Sequence, residues 1–333
     1  MTIKKIRISV GSASVLGLGS LPSFKNPPTT CYIMTFTEGH CLANCGFCPQ
    51  ARSSKSSIEK LSRVTWPIYS FKDFLTKLKY LPFSKRFKRI CIQTLNYPDN
   101  FRDLIEIINQ IKIHANTPIS VAIPPMSKEK LRELKIRGVQ RVGIALDGTT
   151  PEIFDKIKGR IVEGPYRWEE HFLKLKEALE VFSPGLVSTH IIIGLGETEK
   201  EVIERIEELH KLDILVSLFA FTPIKGTKFE NITPPALLSF RKIQLGRNLI
   251  INNKKSLEDF TFNSKGVIIN INISKKELNT IIMDSDAFFT SGCPGCNRPF
   301  YTSKPSGPIY NYPRKLKENE KIEIYDLLYK FMN

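Results

Sequence analysis

Three cysteines within eight residues, Cys41, Cys45 and Cys48, are the first residues of this chain whose type and spacing could do chemistry. They lie in CLANCGFC, separated by three residues and then by two. Three thiolates on one tight loop can hold three irons of a [4Fe–4S] cube and leave the fourth iron open. The alternative is a zinc or structural site, for which His40 is the nearest fourth ligand. The aromatic Phe47 before the third cysteine and the strand that precedes the loop favour the cluster. A second pair, Cys293 and Cys296, forms CPGC, with Pro294 and Gly295 shaping a turn. It admits three readings: an auxiliary iron–sulfur cluster, a structural zinc, or a redox or buried pair. Cys91, a hydroxyl such as Ser303 or Ser306, or a partner chain would complete such a cluster. Tyr301, Tyr310, Arg298 and Arg314 add aromatic and cationic groups around the pair.

Elements that could position these residues follow from the apolar pattern. Strands are predicted at 31–36, 89–94, 119–123, 141–146, 187–194, 215–221 and 267–272, with a further short one at 286–291. Amphipathic stretches lie between them. In ETEKEVIERIEELHKL, Val202, Ile203, Ile206 and Leu209 recur at helical spacing. Gly138, Gly185 and Pro223 fall where elements should stop. Strands rich in Ile and Val that alternate with helices imply a parallel sheet with right-handed crossovers. The expected fold is therefore α/β, a complete or partial (β/α) barrel with its site at the C-terminal ends of the strands. The first cysteine loop follows the first strand and so belongs at that mouth. The 286–291 strand would bring CPGC out at the same face. The chain divides into an extension over 1–30, a barrel over 31–290 and a C-terminal segment over 291–333.

Composition narrows the class. With 41% hydrophobic and 25% charged residues, the 333-residue chain is ordinary globular material. No apolar run approaches the ~18–20 residues that span a bilayer. The start imitates a signal peptide, but Gly and Ser replace its leucines and no cleavage site follows. Seven cysteines, five of them in the two tight clusters, are too few for a disulfide framework. They read as metal ligation in a reducing, cytoplasmic compartment. The net charge of +16 suits a solvated lysine-rich surface, an acidic protein partner or nucleic acid.

On these residues the chain resembles the radical S-adenosylmethionine (SAM) superfamily, specifically its biotin-synthase-like branch. CLANCGFCPQARSS is similar to that branch's cluster loop. RVGIALDGT resembles the stretch where an Asp contacts the SAM ribose, which points to Asp147. GLGETEKE resembles the glycine-rich strand end that admits the cofactor, with Gly194, Gly196 and Glu197. FTPIKGT resembles the segment that packs on adenine, with Pro223. Gln93 is the nearest candidate for the SAM amino group, and Phe47 completes the cofactor-binding set. The resemblance implies a [4Fe–4S] cluster, bound SAM and a radical that abstracts hydrogen from an unactivated carbon. Biotin synthases also hold a [2Fe–2S] cluster through three strand cysteines and an arginine. Cys91 matches the first, whereas ISVAI has no cysteine and the third place offers Ser188 or His190. An authentic biotin synthase is therefore not expected.

CPGCNRP followed by YNYPR resembles the archaeal two-component lipoyl synthases. That likeness implies sulfur insertion into an octanoyl chain carried on a lipoyl carrier protein. It also implies an auxiliary cluster at Cys293, Cys296 and Cys91, a second radical SAM protein as partner, and an electron donor such as ferredoxin. Other radical SAM sulfurtransferases, including those that methylthiolate tRNA, and a non-catalytic cluster-carrying subunit are the alternatives. No membrane is implied, and nucleic acid is not the expected partner because no RNA-binding domain is recognisable.

Overall fold

A computed structural model describes residues 3–21, 23–303 and 306–331. Seven residues that the terminal divisions include, 1, 2, 22, 304, 305, 332 and 333, lie outside them. The main sheet contains β1 (Lys5–Ile8), β2 (Thr30–Met34), β3 (Ile68–Ser70) and β4 (Arg89–Gln93). It continues with β5 (Ile119–Ile123), β6 (Val139–Ile144), β7 (Val187–Ile193) and β8 (Leu215–Ala220). Its order is β8-β7-β6-β5-β4-β2-β1-β3. From β2 through β8 the neighbours run parallel and in chain order. Among the described residues these six strands form a partial (β/α) barrel, with helices on the outside.

Alternation along each strand separates wall from lumen. In β7, Val187, Ile191 and Ile193 are buried and lie outside the cavity lining, and Thr189, also buried, borders the cavity. Ser188, His190 and Ile192 point instead into the central cavity. The helix Glu199–Lys211 begins with a capping box: Thr198 Oγ1 accepts the Glu201 N–H at 3.2 Å, and Glu201 Oε2 accepts the Thr198 N–H at 2.7 Å. Its Val202, Ile203, Ile206 and Leu209 are fully buried. Each such side chain stabilises the fold by about 1.5–3 kcal/mol relative to exposure.

Three expectations about the elements are corrected. First, Lys5–Ile8, within the stretch read as an N-terminal extension, belongs to the main sheet: β1 pairs antiparallel with both β2 and β3, and its Ile6 and Ile8 are fully buried. Second, the 267–272 strand forms at Ile268–Ile271, but it pairs with Phe260–Phe262 in a separate ribbon. The Ile268 N–H is drawn there by Glu199 Oε2, at 2.7 Å. Third, 286–291 is not a barrel strand. Its backbone bonds to Tyr312, while Ser291 Oγ accepts the Leu218 N–H at 2.8 Å and Asn311 Nδ2 donates to Leu218 O at 3.2 Å. Side chains thus satisfy the open edge of β8 that a further strand would have paired.

The CPGC loop consequently leaves the expected face. Thr29, immediately before β2, donates its N–H to Asn297 Oδ1 at 3.0 Å and its hydroxyl to Gly295 O. Asn297 Nδ2 bonds Pro27 O at 3.0 Å. The loop therefore closes the barrel floor, at the N-terminal ends of the strands, opposite the first cysteine loop.

Candidate active site

The barrel encloses a cavity of about 340 Å³, lined by Cys41, Cys45, Cys48, Phe47, Gln93, Asp147, Cys91, Cys293 and Cys296 among others. That volume is in the range that accommodates a small-molecule ligand. At the mouth, backbone bonds shape the first loop: Cys41 N–H to Gln50 O at 2.9 Å, Leu42 N–H to Asn96 O at 2.8 Å and Cys48 N–H to Cys45 O at 3.0 Å. Gly46 is packed so closely that a Cβ would stand 2.7 Å from the Phe229 ring, so no side chain fits between Cys45 and Phe47. The Asn96 N–H donates to Cys41 Sγ at 3.2 Å. Burial pushes all three thiols up, Cys45 to about 12 even though the Lys158 ammonium pulls it down. Iron would replace those thiol protons, as metals do when they bind cysteine.

The donor set at the mouth is three free cysteines on one loop, which matches a cluster that spreads its protein thiolates over separate irons. His40, the zinc alternative at the mouth, keeps a buried Nδ1 with no hydrogen-bond partner and lies outside the cavity lining.

Below the mouth stands a buried charge centre. Asp147 adopts a left-handed backbone, φ 63°, which its bonds to β7 secure: its N–H to His190 O and its C=O from Ile192 N–H, both 2.9 Å. Its carboxylate meets Lys158 Nζ at 2.6 Å and His190 Nε2 at 2.7 Å. Burial alone would raise the Asp147 carboxyl, but the Lys158 ammonium and then His190 overcome it and hold it well below the usual carboxylate range. Lys158 also donates to Ala145 O at 2.8 Å and lies 5.0 Å from the Tyr166 ring centre.

Replacing Asp147 with Asn should therefore destabilise the chain by about 3–5 kcal/mol, the cost of leaving a buried charge without its partner. Asn tolerates the left-handed backbone, so the loss reports charge rather than strain. The folded carboxyl titrates below the unfolded value of about 3.9. The pair's contribution is thus complete above about pH 4 and fades as the pH falls through the folded value. Urea unfolding of both apo-proteins should show a gap at neutral pH that closes in acid. Equal stability at pH 7 would contradict this account.

At the floor, Cys91 on β4 accepts from Gln93 Nε2 at 3.1 Å, so Gln93 turns towards this thiol. Cys296 Sγ lies 3.2 Å from Tyr32 Oη, and Ser120 Oγ donates to Cys293 Sγ at 3.7 Å. Arg298, whose guanidinium sits 4.0 Å from the Phe219 ring centre, and Tyr301 line the same space. Other predicted neighbours stand elsewhere. Tyr310 Oη bonds Pro235 O at 2.7 Å, Arg314 pairs with Glu320 at 2.7 Å, and Ser303 Oγ accepts the Tyr310 N–H at 3.0 Å. Neither Ser303 nor Ser306 faces the cavity.

Gly194, Gly196, Glu197 and Pro223 lie beyond the ends of β7 and β8, outside the cavity lining. Glu197 folds back on its own turn, accepting the Gly194 N–H at 2.5 Å and the Leu195 N–H at 2.9 Å. Gly194 has φ 106°, and a Cβ there would meet Pro235 at 2.7 Å. Residues that spacing did not reveal are Lys158, Tyr166, Asn96, Ser120 and Tyr32. They share no local motif; only the barrel brings them together.

A sequence model of the radical SAM superfamily matches residues 37–209. The biotin synthase of Methanococcus aeolicus is 29% identical over 224 residues, covering 66% of this chain and 65% of that protein. The biotin synthase of Campylobacter hominis is 31% identical over 215 residues, covering 61% and 60%. The chain thus spans somewhat less than two thirds of these relatives. In structure, methylornithine synthase is similar with a TM-score of 0.53 at 16% identity, covering 73% of this chain and 67% of that one. The FeFe-hydrogenase maturase HydG from Carboxydothermus hydrogenoformans gives 0.52 at 18%, covering 87% and 64%. At such identities these likenesses speak for the fold alone. Among the described residues no helix is long and apolar enough to cross a membrane.

Proposed function

The chain belongs to the radical SAM superfamily, and from that membership we propose that it inserts sulfur into a protein-bound octanoyl chain, as one component of a two-protein lipoyl synthase. The observation that carries this reading is the placement of two thiol sets across one cavity. Cys41, Cys45 and Cys48 stand at the mouth, and Cys91, Cys293 and Cys296 stand at the floor. A substrate between them would meet hydrogen abstraction from one side and a sulfur source from the other.

In this reading the mouth thiols hold the [4Fe–4S] cluster, which with SAM supplies the 5′-deoxyadenosyl radical. The residues of the chain do the rest. Asp147 is the proposed ribose partner, kept charged and oriented by Lys158 and His190. Apolar walls, including Trp66, Leu95, Val121 and Phe219, exclude water and suit an alkyl chain. The floor thiols hold an auxiliary cluster whose sulfide is the proposed donor. The proposed partners are an octanoylated carrier protein, a second radical SAM protein and a donor such as ferredoxin. An acidic carrier would complement the charge of +16.

The biotin-synthase relatives favour a second reading, sulfur insertion into the sulfur-free precursor of biotin. Two thiols absent from the strands are offered here by the CPGC loop, which weakens the case against it. Mass spectrometry separates the readings. The reconstituted chain, alone and with a purified second lipoyl synthase component, is given SAM, reductant and either an octanoylated carrier peptide or the biotin precursor. A gain of one or two sulfur atoms on the peptide is expected. Sulfur on the biotin precursor alone would overturn the lipoyl reading. Sulfur on neither, with 5′-deoxyadenosine still formed, would overturn both.

A further inference from the structure

Four parallel strands present one lumen-facing residue each at the same height: Tyr32 on β2, Cys91 on β4, Ser120 on β5 and Arg141 on β6. The register pairs are Tyr32 with Cys91, Cys91 with Ser120 and Ser120 with Arg141. All four line the cavity, and the CPGC loop rises beneath them. Parallel neighbours stand about 4.8 Å apart, so Cys91 and Ser120 are adjacent donors on one level. Cys293 Sγ, at 3.7 Å from Ser120 Oγ, closes the group.

We propose that Ser120 Oγ is the fourth protein ligand of the iron–sulfur cluster held by Cys91, Cys293 and Cys296. The inference rests on the auxiliary-cluster reading above and goes beyond it by assigning the non-thiolate vertex. Ser120 is 3% exposed, on a short side chain in mid-strand, so its oxygen cannot retreat to solvent. Arg89 Nη1 donates to that oxygen at 2.9 Å, and Arg89 Nη2 is anchored on Gln140 Oε1 at 2.6 Å. A guanidinium aimed at a hydroxyl lowers the cost of charge on its oxygen. Ligation replaces the hydroxyl proton, which leaves as the iron–oxygen bond forms and returns when it breaks.

Tyr32 offers the other nearby oxygen, but its role is different. Tyr32 Oη already accepts the Arg298 N–H at 3.0 Å, and its ring packs 5.3 Å from Tyr301. It is a hydrogen-bond partner of Cys296, as Gln93 is of Cys91. An oxygen vertex among thiolates is the harder, less matched ligand.

The test isolates the floor site by working in a full-length Cys41→Ala/Cys45→Ala/Cys48→Ala background. Iron, sulfide, Mössbauer spectra and resistance to chelator are compared after reconstitution for Ser120, Ser120→Ala and Ser120→Cys, with Cys293→Ala as control. Circular dichroism of each apo-protein checks the fold. Ser120→Ala should lose iron to chelator at least ~10-fold faster, the minimum that even an outer-shell residue costs a metal site. Ser120→Cys should regain that resistance while its Mössbauer spectrum shifts towards all-thiolate iron. Identical spectra and resistance in all three Ser120 proteins would overturn the ligand assignment while leaving the cluster reading intact. Unchanged iron in Cys293→Ala would instead overturn the cluster reading itself.

Discussion

Alanine at Cys41, Cys45 and Cys48 together is expected to abolish 5′-deoxyadenosine formation under anaerobic reduction, with no residual rate above the reductant control. The reason is positional. The loop places these three thiols at the C-terminal end of β2, and no other cysteine lies there: Cys31 is fully buried in the core, and the remaining three are at the floor. Rescue from within the chain would have to cross the barrel. The loop itself should survive the change. Its course is set by backbone bonds of Cys41, Leu42, Gly46 and Cys48, and Gly46 keeps its contact with Phe229. Loss of iron from the mouth without loss of helical signal is therefore the expected companion result. Persistence of the nucleoside product in the triple variant, measured by chromatography against a reductant blank, would remove the assignment of these thiols.

What could be read in advance was what is local. Strand β5 was legible at 119–123 because ISVAI is a buried β-branched run between helices, and Cys41, Cys45 and Cys48 were legible because one loop carries all three. Helix Glu199–Lys211 announced itself through its apolar stripe, whereas its capping box became visible only in the fold. The failures are non-local. Lys5–Ile8 has the composition of a tail, and only its partners on both sides make it a strand. Residues 286–291 have the pattern of a strand, but Ser291 and Asn311 already occupy the edge that it would need. Lys158 gives no signal at all; its meaning comes from the left-handed turn that delivers Asp147 to it. The floor depended on the same missing information. The likeness to lipoyl synthases already put Cys91 with CPGC; that they meet at the floor follows from the loop being tied to Thr29 rather than standing at the mouth.

Cys293→Ala should divide the two thiol sets functionally. SAM cleavage is expected to continue, because the mouth loop stands at the opposite end of the barrel from the CPGC turn, which is tied to Thr29, and its three thiols are untouched. Sulfur insertion should vanish, since a substrate radical generated in the cavity would have no sulfide to attack. Iron should fall by about two per chain for a rhomb, or by up to about four for a cube. The turn should remain folded in the apo-protein: Asn297 holds Thr29 and Pro27 from the same loop, and Arg298 donates to Ser291 O and over Phe219. A structural zinc predicts another outcome, namely stoichiometric zinc in the wild type and collapse of the C-terminal segment without it, because such an ion supplies folding energy. Metal analysis, 5′-deoxyadenosine and sulfur gain, measured on one preparation, tell these apart. Sulfur insertion at the wild-type rate by Cys293→Ala would end the donor role of the floor, since the radical would then be drawing its sulfur from elsewhere.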